Sequence, residues 1–171
     1  MKDAKGREIK YLRVSVTDRC NLRCKYCMPN GIECVEHKDI LSFEEIRQIA
    51  VCGARLGITK IRLTGGEPLA RKGCPELIRM LKEIPGIEKI AMTTNGTLVR
   101  AILPELVEAG LDEINISLDT LDAGMFAAIT GQDLLPEVLL AIDAALAAGL
   151  KVKVNAVSMP DTDWKRLITL A

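Results

Sequence analysis

Three cysteines lie close together near the N-terminus of this 171-residue chain: Cys20, Cys24 and Cys27. Spacings of four and three residues allow their thiolates to converge on one metal centre, and thiolates are soft ligands suited to zinc or to iron–sulfur clusters. A zinc ion needs a fourth ligand, which Cys34 or His37 could supply. A [4Fe-4S] cluster held by three cysteines leaves one iron open instead. Spacing alone leaves both alternatives open.

Basic residues are interleaved with these cysteines: Arg19, Arg23 and Lys25. Nearby cations favour the thiolate form of a cysteine. We therefore expect them to lower the thiol pKa values and to offset the negative charge of bound thiolates.

The overall composition is that of a soluble globular domain. Apolar residues make up 49% of the chain, and 23 Lys and Arg balance 23 Asp and Glu. Balanced charge and few aromatic residues argue against a nucleic-acid partner. No apolar run is long enough to cross a bilayer and the charged N-terminus lacks a secretory core, so we expect no membrane partner and a cytoplasmic location.

Strand-like and helix-like segments alternate along the chain. Short β-branched runs predict strands at 12–16, 60–64, 89–93, 113–118 and 151–157. Helical patterns fill the intervals, and the first of them begins with a capping box formed by Ser42 and Glu45. Strand–helix alternation predicts an α/β fold with a parallel sheet and right-handed crossovers.

The predicted strands alternate between apolar and polar residues, which is unusual for a parallel sheet covered by helices on both faces. Since successive side chains point to opposite faces, one face of the sheet is apolar and the other polar. Helices can cover only the apolar face. We therefore expect an open or incompletely filled barrel with a polar lumen, and the alternative is an α+β sheet with one exposed side.

Four basic residues share the predicted polar face: Arg13, Lys60, Arg62 and Lys153. Buried cations without partners are costly, so either acidic residues such as Asp119 or an anionic ligand must neutralise them. A triphosphate matches the number of positive charges.

Two motifs together resemble the radical S-adenosylmethionine (radical SAM) superfamily. Cys-x3-Cys-x2-Cys carries an aromatic residue, Tyr26, before its last cysteine, and the second strand ends in Gly-Gly-Glu-Pro at 65–68. The resemblance implies a [4Fe-4S] cluster on Cys20, Cys24 and Cys27. It also implies that S-adenosylmethionine binds near Tyr26, Gly65, Gly66, Glu67 and Ser117. In such a site the glycines expose backbone groups to the ligand and Glu67 pairs with its ammonium.

The segments 12–20, 61–69, 93–96, 115–119 and 151–155 narrow the resemblance to the branch of the superfamily that cyclises GTP in molybdenum cofactor biosynthesis. This implies a partial TIM barrel of about five βα units, an electron donor protein as partner, and 5′-deoxyadenosyl radical chemistry. The implied GTP contacts are Arg13, Lys60, Arg62, Thr93, Lys153 and Asn155.

The chain departs from that branch at its C-terminal end. The branch has a sixth strand and a second three-cysteine cluster, and this sequence contains no second cysteine triplet. We therefore interpret residues 1–171 as a truncated core domain that assembles the first cluster but is poor or inactive as a cyclase alone, with a second copy or the missing part as partner. The alternatives are a radical SAM enzyme with another phosphorylated substrate and a zinc-binding structural module.

Overall fold

Five short parallel strands form one sheet in the computed structural model, which describes residues 2–28, 31 and 35–158. The strands are Tyr11–Ser15 (β1), Lys60–Thr64 (β2), Lys89–Thr94 (β3), Glu113–Ser117 (β4) and Lys151–Asn155 (β5). Their spatial order equals their sequence order, as in a barrel that winds in one direction. Within the described residues β1 and β5 each pair with one strand, so the barrel is incomplete, as predicted.

Five α-helices follow or connect the strands within the described part of the chain. They are Phe43–Arg55 (α1), Cys74–Lys82 (α2), Val99–Glu108 (α3), Ala123–Thr130 (α4) and Leu135–Ala147 (α5). The sequence indicated one helix between β4 and β5, and the structure has two. The helix that would complete the fifth predicted βα unit, after β5, lies outside the described residues. No single described helix is long and apolar enough to span a membrane; α4 and α5 reach that length and composition only together, as a pair bent by 101°.

The predicted start of α1 is confirmed at the level of hydrogen bonds. The Ser42 hydroxyl accepts from the Glu45 amide at 3.2 Å, and the Glu45 carboxylate accepts from the Ser42 amide at 2.7 Å. The reciprocal pair satisfies two amides that a helix start leaves without partners. This cap fixes where the chain turns from the segment after the cysteines into the first helix.

The two faces of the sheet differ as the alternation predicts. Ile61 and Leu63 of β2, like Ile114 and Ile116 of β4, are fully buried against the helices and form the centre of the core. The opposite face, which we call the lumen face, is polar. It carries Arg13, Lys60, Arg62, Thr93, Glu113, Asn115, Ser117, Lys153 and Asn155.

Candidate active site

All parallel strands end at the same edge of the sheet, which we call the mouth. The cysteine loop, residues 16–28, leaves β1 at this edge. Its sulfur atoms therefore lie at the carboxyl ends of the strands, where open α/β folds place their ligands.

The first anchor of the cysteine loop is the Gly65–Gly66 turn after β2. The amide of Gly66 donates to the carbonyl of Thr17 at 2.7 Å, and the amide of Glu67 donates to the carbonyl of Arg19 at 2.8 Å. A Cβ atom on Gly66 would lie 2.4 Å from the Arg19 carbonyl oxygen, and one on Gly65 would lie 2.4 Å from that of Thr17. The glycines are required because the loop backbone passes directly over them.

The Glu67 carboxylate links the β2 turn to the end of β3. It is fully buried and accepts hydrogen bonds from the amides of Leu69 and Asn95 and from the hydroxyl of Thr94, at 3.1, 2.7 and 2.8 Å. Burial raises its pKa, although these three donors act in the opposite direction. In this structure the carboxylate therefore holds two turns together, and its pairing with an ammonium stays a prediction.

Asn95, just after β3, reaches back to the cysteine loop. Its side-chain amide donates to the carbonyl oxygen of the Asn21 side chain at 2.9 Å and approaches the sulfur of Cys20 at 3.8 Å. Its own oxygen accepts from the amide and the hydroxyl of Thr97. Asn95 thus positions the first cysteine, and the sequence analysis quoted its motif without assigning it a role.

Tyr26 ties the far end of the loop to the other side of the mouth. Its hydroxyl donates to the Asp119 carboxylate at 2.7 Å, and the same carboxylate accepts from the amide of Val157 at 2.8 Å. Burial, followed by this carboxylate, raises the pKa of Tyr26. Asp119, which follows β4, therefore joins the exits of β1, β4 and β5, and it does not neutralise the lumen cations as the sequence analysis suggested.

The middle of the cysteine loop is joined to the end of α4. The amides of Arg23 and Lys25 donate to the carbonyls of Thr130 and Ile129 at 2.9 and 3.0 Å. The loop that holds the cysteines is therefore fixed to the turn after β2, to the ends of β3 and β4, and to α4.

The electrostatic environment of Cys24 differs from the prediction. Burial, followed by the charges of Cys20 and Cys27, raises its pKa to about 11. The expected lowering by interleaved basic residues is wrong for this thiol. The Arg23 guanidinium donates to the backbone carbonyls of Cys20 and Leu22, at 2.6 and 2.8 Å, and not to sulfur.

The donor set fits an iron–sulfur cluster. It consists of three thiols, and the sulfur of Cys20 also accepts from the amide of Leu22 at 3.4 Å, the type of contact that tunes such clusters. Within the described part of the chain, no three His, Cys, Asp or Glu side chains are grouped to hold a single metal ion. Cys34 and the side chain of His37, the predicted fourth ligands for zinc, lie outside the part that the structure describes.

A buried carboxylate on β4, Glu113, organises the charges at the amino-terminal end of the lumen face. It is 3% exposed and accepts a hydrogen bond from Lys60 at 2.5 Å. Arg62, Lys89 and Lys151 lie 3.9, 3.8 and 4.0 Å from its oxygens. The hydrogen bond from Lys60 is the main reason that the pKa of Glu113 lies below its usual value. Glu113 is therefore the acidic residue that neutralises part of the lumen charge; the sequence left open whether acidic residues such as Asp119 or an anionic ligand would do so.

Of the other predicted cations, Arg62 lies at ion-pair distance from Glu113, whereas Arg13 and Lys153 do not. Arg62 is 7% exposed and its guanidinium donates to the Thr93 hydroxyl at 3.2 Å. Arg13 pairs in register with Arg62 and is exposed, as is Lys153 on β5, and neither forms an ion pair with any described residue. The structure thus places the predicted substrate-binding residues together on the lumen face.

Ser117 and Asn155 close this face at the mouth, where they pair in register. A small cavity of about 30 Å³ lies beside Ser117, between the cysteine loop and β4, and Cys24 and Tyr26 also line it. A wider groove of about 730 Å³ lies near the start of α1, and none of the predicted site residues lines it.

The sequence profile of the radical SAM superfamily matches residues 14–171. The chain belongs to the radical SAM superfamily, whose members use a [4Fe-4S] cluster and S-adenosylmethionine.

Its curated relatives narrow the comparison to GTP 3′,8-cyclases. The chain is 54% identical over 162 residues to the GTP 3′,8-cyclase of Thermodesulfovibrio yellowstonii, covering 93% of this chain and 50% of that protein. It is 51% identical over 161 residues to that of Heliobacterium modesticaldum, covering 93% and 49%. The chain spans about half the length of the curated relatives it matches.

Solved structures confirm the fold. The alignment with a structure of anSMEcpe with bound AdoMet covers 85% of this chain and 43% of that one, with a TM-score of 0.68 and 19% sequence identity. The alignment with methylornithine synthase (PylB) covers 92% of this chain and 48% of that one, with a TM-score of 0.70 and 21% sequence identity. At this identity the likeness shows the fold alone, and it agrees with the predicted partial barrel.

Proposed function

We propose that this chain supplies the S-adenosylmethionine-binding and triphosphate-binding part of a GTP 3′,8-cyclase, which converts GTP to 3′,8-cyclo-7,8-dihydro-GTP in molybdenum cofactor biosynthesis. Its curated relatives carry that name at about half identity over nearly the whole chain. The observation that carries the proposal is the position of the cysteine loop over a lumen face that presents Arg13, Arg62 and Lys153.

Cys20, Cys24 and Cys27 would hold the [4Fe-4S] cluster, and S-adenosylmethionine would lie between Tyr26, the Gly65–Gly66 turn, Glu67 and Ser117. When bound, these groups supply the radical that takes a hydrogen atom from the substrate. Cys24, Tyr26 and Ser117 line one small cavity, so these three residues lie next to one another, as the assignment requires. The backbone of the glycine turn, rather than the buried Glu67 carboxylate, faces the mouth.

The lumen face would bind GTP through Arg13, Lys60, Arg62, Thr93, Lys153 and Asn155. Arg13 and Lys153 are exposed cations on the two edge strands of the same lumen face, and Arg62 lies between them at the level of Glu113. Cations fix the triphosphate, which does not react, and thereby position the sugar below the cysteine loop.

The proposal includes three points that concern the whole protein. An electron donor protein reduces the cluster, and a second copy of this chain or additional polypeptide covers the open side of the barrel. The enzyme works in the cytoplasm. Residues 1–171 form its core domain.

The test uses the chain purified without oxygen and reconstituted with iron and sulfide. We expect a brown protein that cleaves S-adenosylmethionine to 5′-deoxyadenosine under a chemical reductant and binds GTP at least tenfold more tightly than guanosine. A colourless protein that holds one zinc ion would identify a structural module instead. Equal affinity for GTP and guanosine would contradict a triphosphate site, and a radical SAM enzyme with another substrate would then be the better interpretation.

A further inference from the structure

Two polar atoms on the lumen face are buried and lack a hydrogen-bond partner: Nε of Arg62 and Oδ1 of Asn115. We infer that Asn115 is a further substrate-contacting residue, whose side-chain oxygen accepts a hydrogen bond from a sugar hydroxyl of the bound nucleotide. This inference rests on the proposed function, and it names a residue that the predicted GTP contacts do not include.

The position of Asn115 follows from the alternation of β4. Its neighbours Ile114 and Ile116 are fully buried in the core, so the side chain of Asn115 points to the opposite, polar face. In register it lies between Thr93 of β3 and Lys153 of β5. Asn115 therefore lies among the residues predicted to bind GTP.

The surroundings of Asn115 leave its side chain unsatisfied. The residue is 9% exposed, and its side chain makes no hydrogen bond to another residue in the part that the structure describes. A buried amide oxygen without a donor costs free energy, and an apolar residue of the same shape would avoid that cost. The unsatisfied oxygen at this position is explained if a donor arrives with a ligand.

The neighbouring groups define the ligand chemistry. The Arg62 guanidinium donates to the Thr93 hydroxyl at 3.2 Å, and Thr93 is the register partner of Asn115. Adjacent strands lie about 4.8 Å apart, so Thr93, which the guanidinium contacts, and Asn115 are one strand spacing from each other. A matching ligand presents an anionic oxygen to Nε of Arg62 and, on the other side of Thr93, a hydrogen-bond donor to Oδ1 of Asn115.

A nucleotide has this arrangement, because its sugar hydroxyls follow directly after its phosphates while its base lies further away. Both atoms are closed to solvent in the chain without ligand. Entry of the nucleotide therefore requires a neighbouring side chain to move. Asn115 would then distinguish GTP from its deoxy analogues.

The experiment measures binding of GTP, 2′-deoxy-GTP and 3′-deoxy-GTP by calorimetry to the reconstituted chain and to Asn115→Leu. We expect the wild type to bind one deoxy analogue about fivefold to tenfold more weakly than GTP, the effect of one neutral hydrogen bond. In Asn115→Leu we expect GTP and that analogue to bind equally. Asn115→Ala, which removes the amide without adding an apolar side chain, serves as a second variant with the same expected loss of discrimination.

Thermal unfolding separates a binding role from a structural one. If Asn115 serves the ligand, Asn115→Leu unfolds at the same or a higher temperature than the wild type, because an unsatisfied buried oxygen is removed. A lower unfolding temperature for Asn115→Leu would overturn the inference, as would an unchanged preference for the hydroxyl in both variants or no such preference in the wild type. Failure of the wild type to bind any of the nucleotides would overturn the proposed function as well.

Discussion

Glu113 shows how one buried carboxylate sets the charge of the lumen face. Four basic side chains lie within 4.0 Å of its oxygens, and only Lys60 donates a hydrogen bond to it within 3 Å. The result is a positive end of the lumen in which four basic side chains share one carboxylate. Glu113 lies two residues before Asn115 on β4, so the alternation of the strand predicts that it lies on the lumen face. The sequence could not indicate which of several acidic residues would contact the cations.

We predict that Glu113→Gln lowers the free energy of unfolding at pH 7 by about 1.5–3 kcal/mol, the value of a hydrogen bond to a charged group. The pKa of Glu113 in the folded chain lies below its usual value of 4.5. Its carboxylate therefore stabilises the fold above pH 4.5, and this contribution is lost as the pH falls through the folded-state pKa.

The measurement is urea unfolding of wild type and Glu113→Gln at a series of pH values. We expect the difference in unfolding free energy between the two proteins to decrease steadily below pH 4.5. Glu83→Gln, an exposed position after α2, is the matched control and should differ from the wild type by no more than about 0.5 kcal/mol. A difference between wild type and Glu113→Gln that does not change with pH would show that the charge of Glu113 is not responsible.

The three clustered cysteines and the exposed Cys52 of α1 allow a matched test of the cluster ligands. We predict that Cys24→Ala loses the visible absorption of the reconstituted protein and most of its bound iron, because two thiolates cannot replace the three that the site offers. Cys52→Ala should retain both. Iron analysis and absorption spectra measure the outcome, and equal iron in the two variants would remove Cys24 from the ligand set.

The cysteine loop is the element on which the site depends, and its anchors explain why sequence reasoning reached some of its residues and missed others. Regular alternation predicted the strands to within two residues at each end, and the capping box placed the start of α1. Asn95 contacts Asn21, which is 74 positions earlier in the sequence, and Asp119 contacts Tyr26, which is 93 positions earlier. A local sequence pattern cannot predict contacts over such separations. The short helix α4 was missed because its small residues produce no clear apolar stripe.

We predict that Gly66→Ala disturbs the cysteine loop, because the added Cβ would lie 2.4 Å from the Arg19 carbonyl oxygen. The expected loss is about 1–3 kcal/mol in unfolding free energy, together with reduced iron incorporation. In the control, Gly124→Ala in α4, the nearest atom is 3.4 Å away, so the variant should be neutral or slightly stabilised. Chemical denaturation and iron content measure both effects, and a Gly66→Ala chain as stable as the control would refute the close approach.

At the scale of the whole molecule, the helices and the apolar face of the sheet form one continuous core that does not include the cysteines at the mouth. Burial of apolar side chains therefore stabilises the fold, and hydrogen bonds to the folded strands and helices hold the cysteine loop in place. Among the described residues, the terminal strands β1 and β5 each pair with one strand, which leaves an edge to which a further chain could pair. This is consistent with the proposed second copy or additional polypeptide.

We predict that the chain keeps its fold when its metal is removed. Chelation of the reconstituted protein should leave the far-ultraviolet circular dichroism unchanged and the unfolding transition cooperative, since the core contains no metal ligand. A zinc-dependent module would behave in the opposite way and lose its structure on chelation. Circular dichroism and thermal scans before and after chelation provide the measurement.

The close packing of the loop backbone on Gly65 and Gly66 has a consequence for recognising descendants of this chain. A homologue that had abandoned its chemistry would still be forced to keep both glycines, because the chain crossing above them leaves no volume for a methyl group. These two positions therefore report inheritance of the architecture. Under the proposed function, loss or retention of Cys24 and Asn115 would instead report whether the chemistry was inherited.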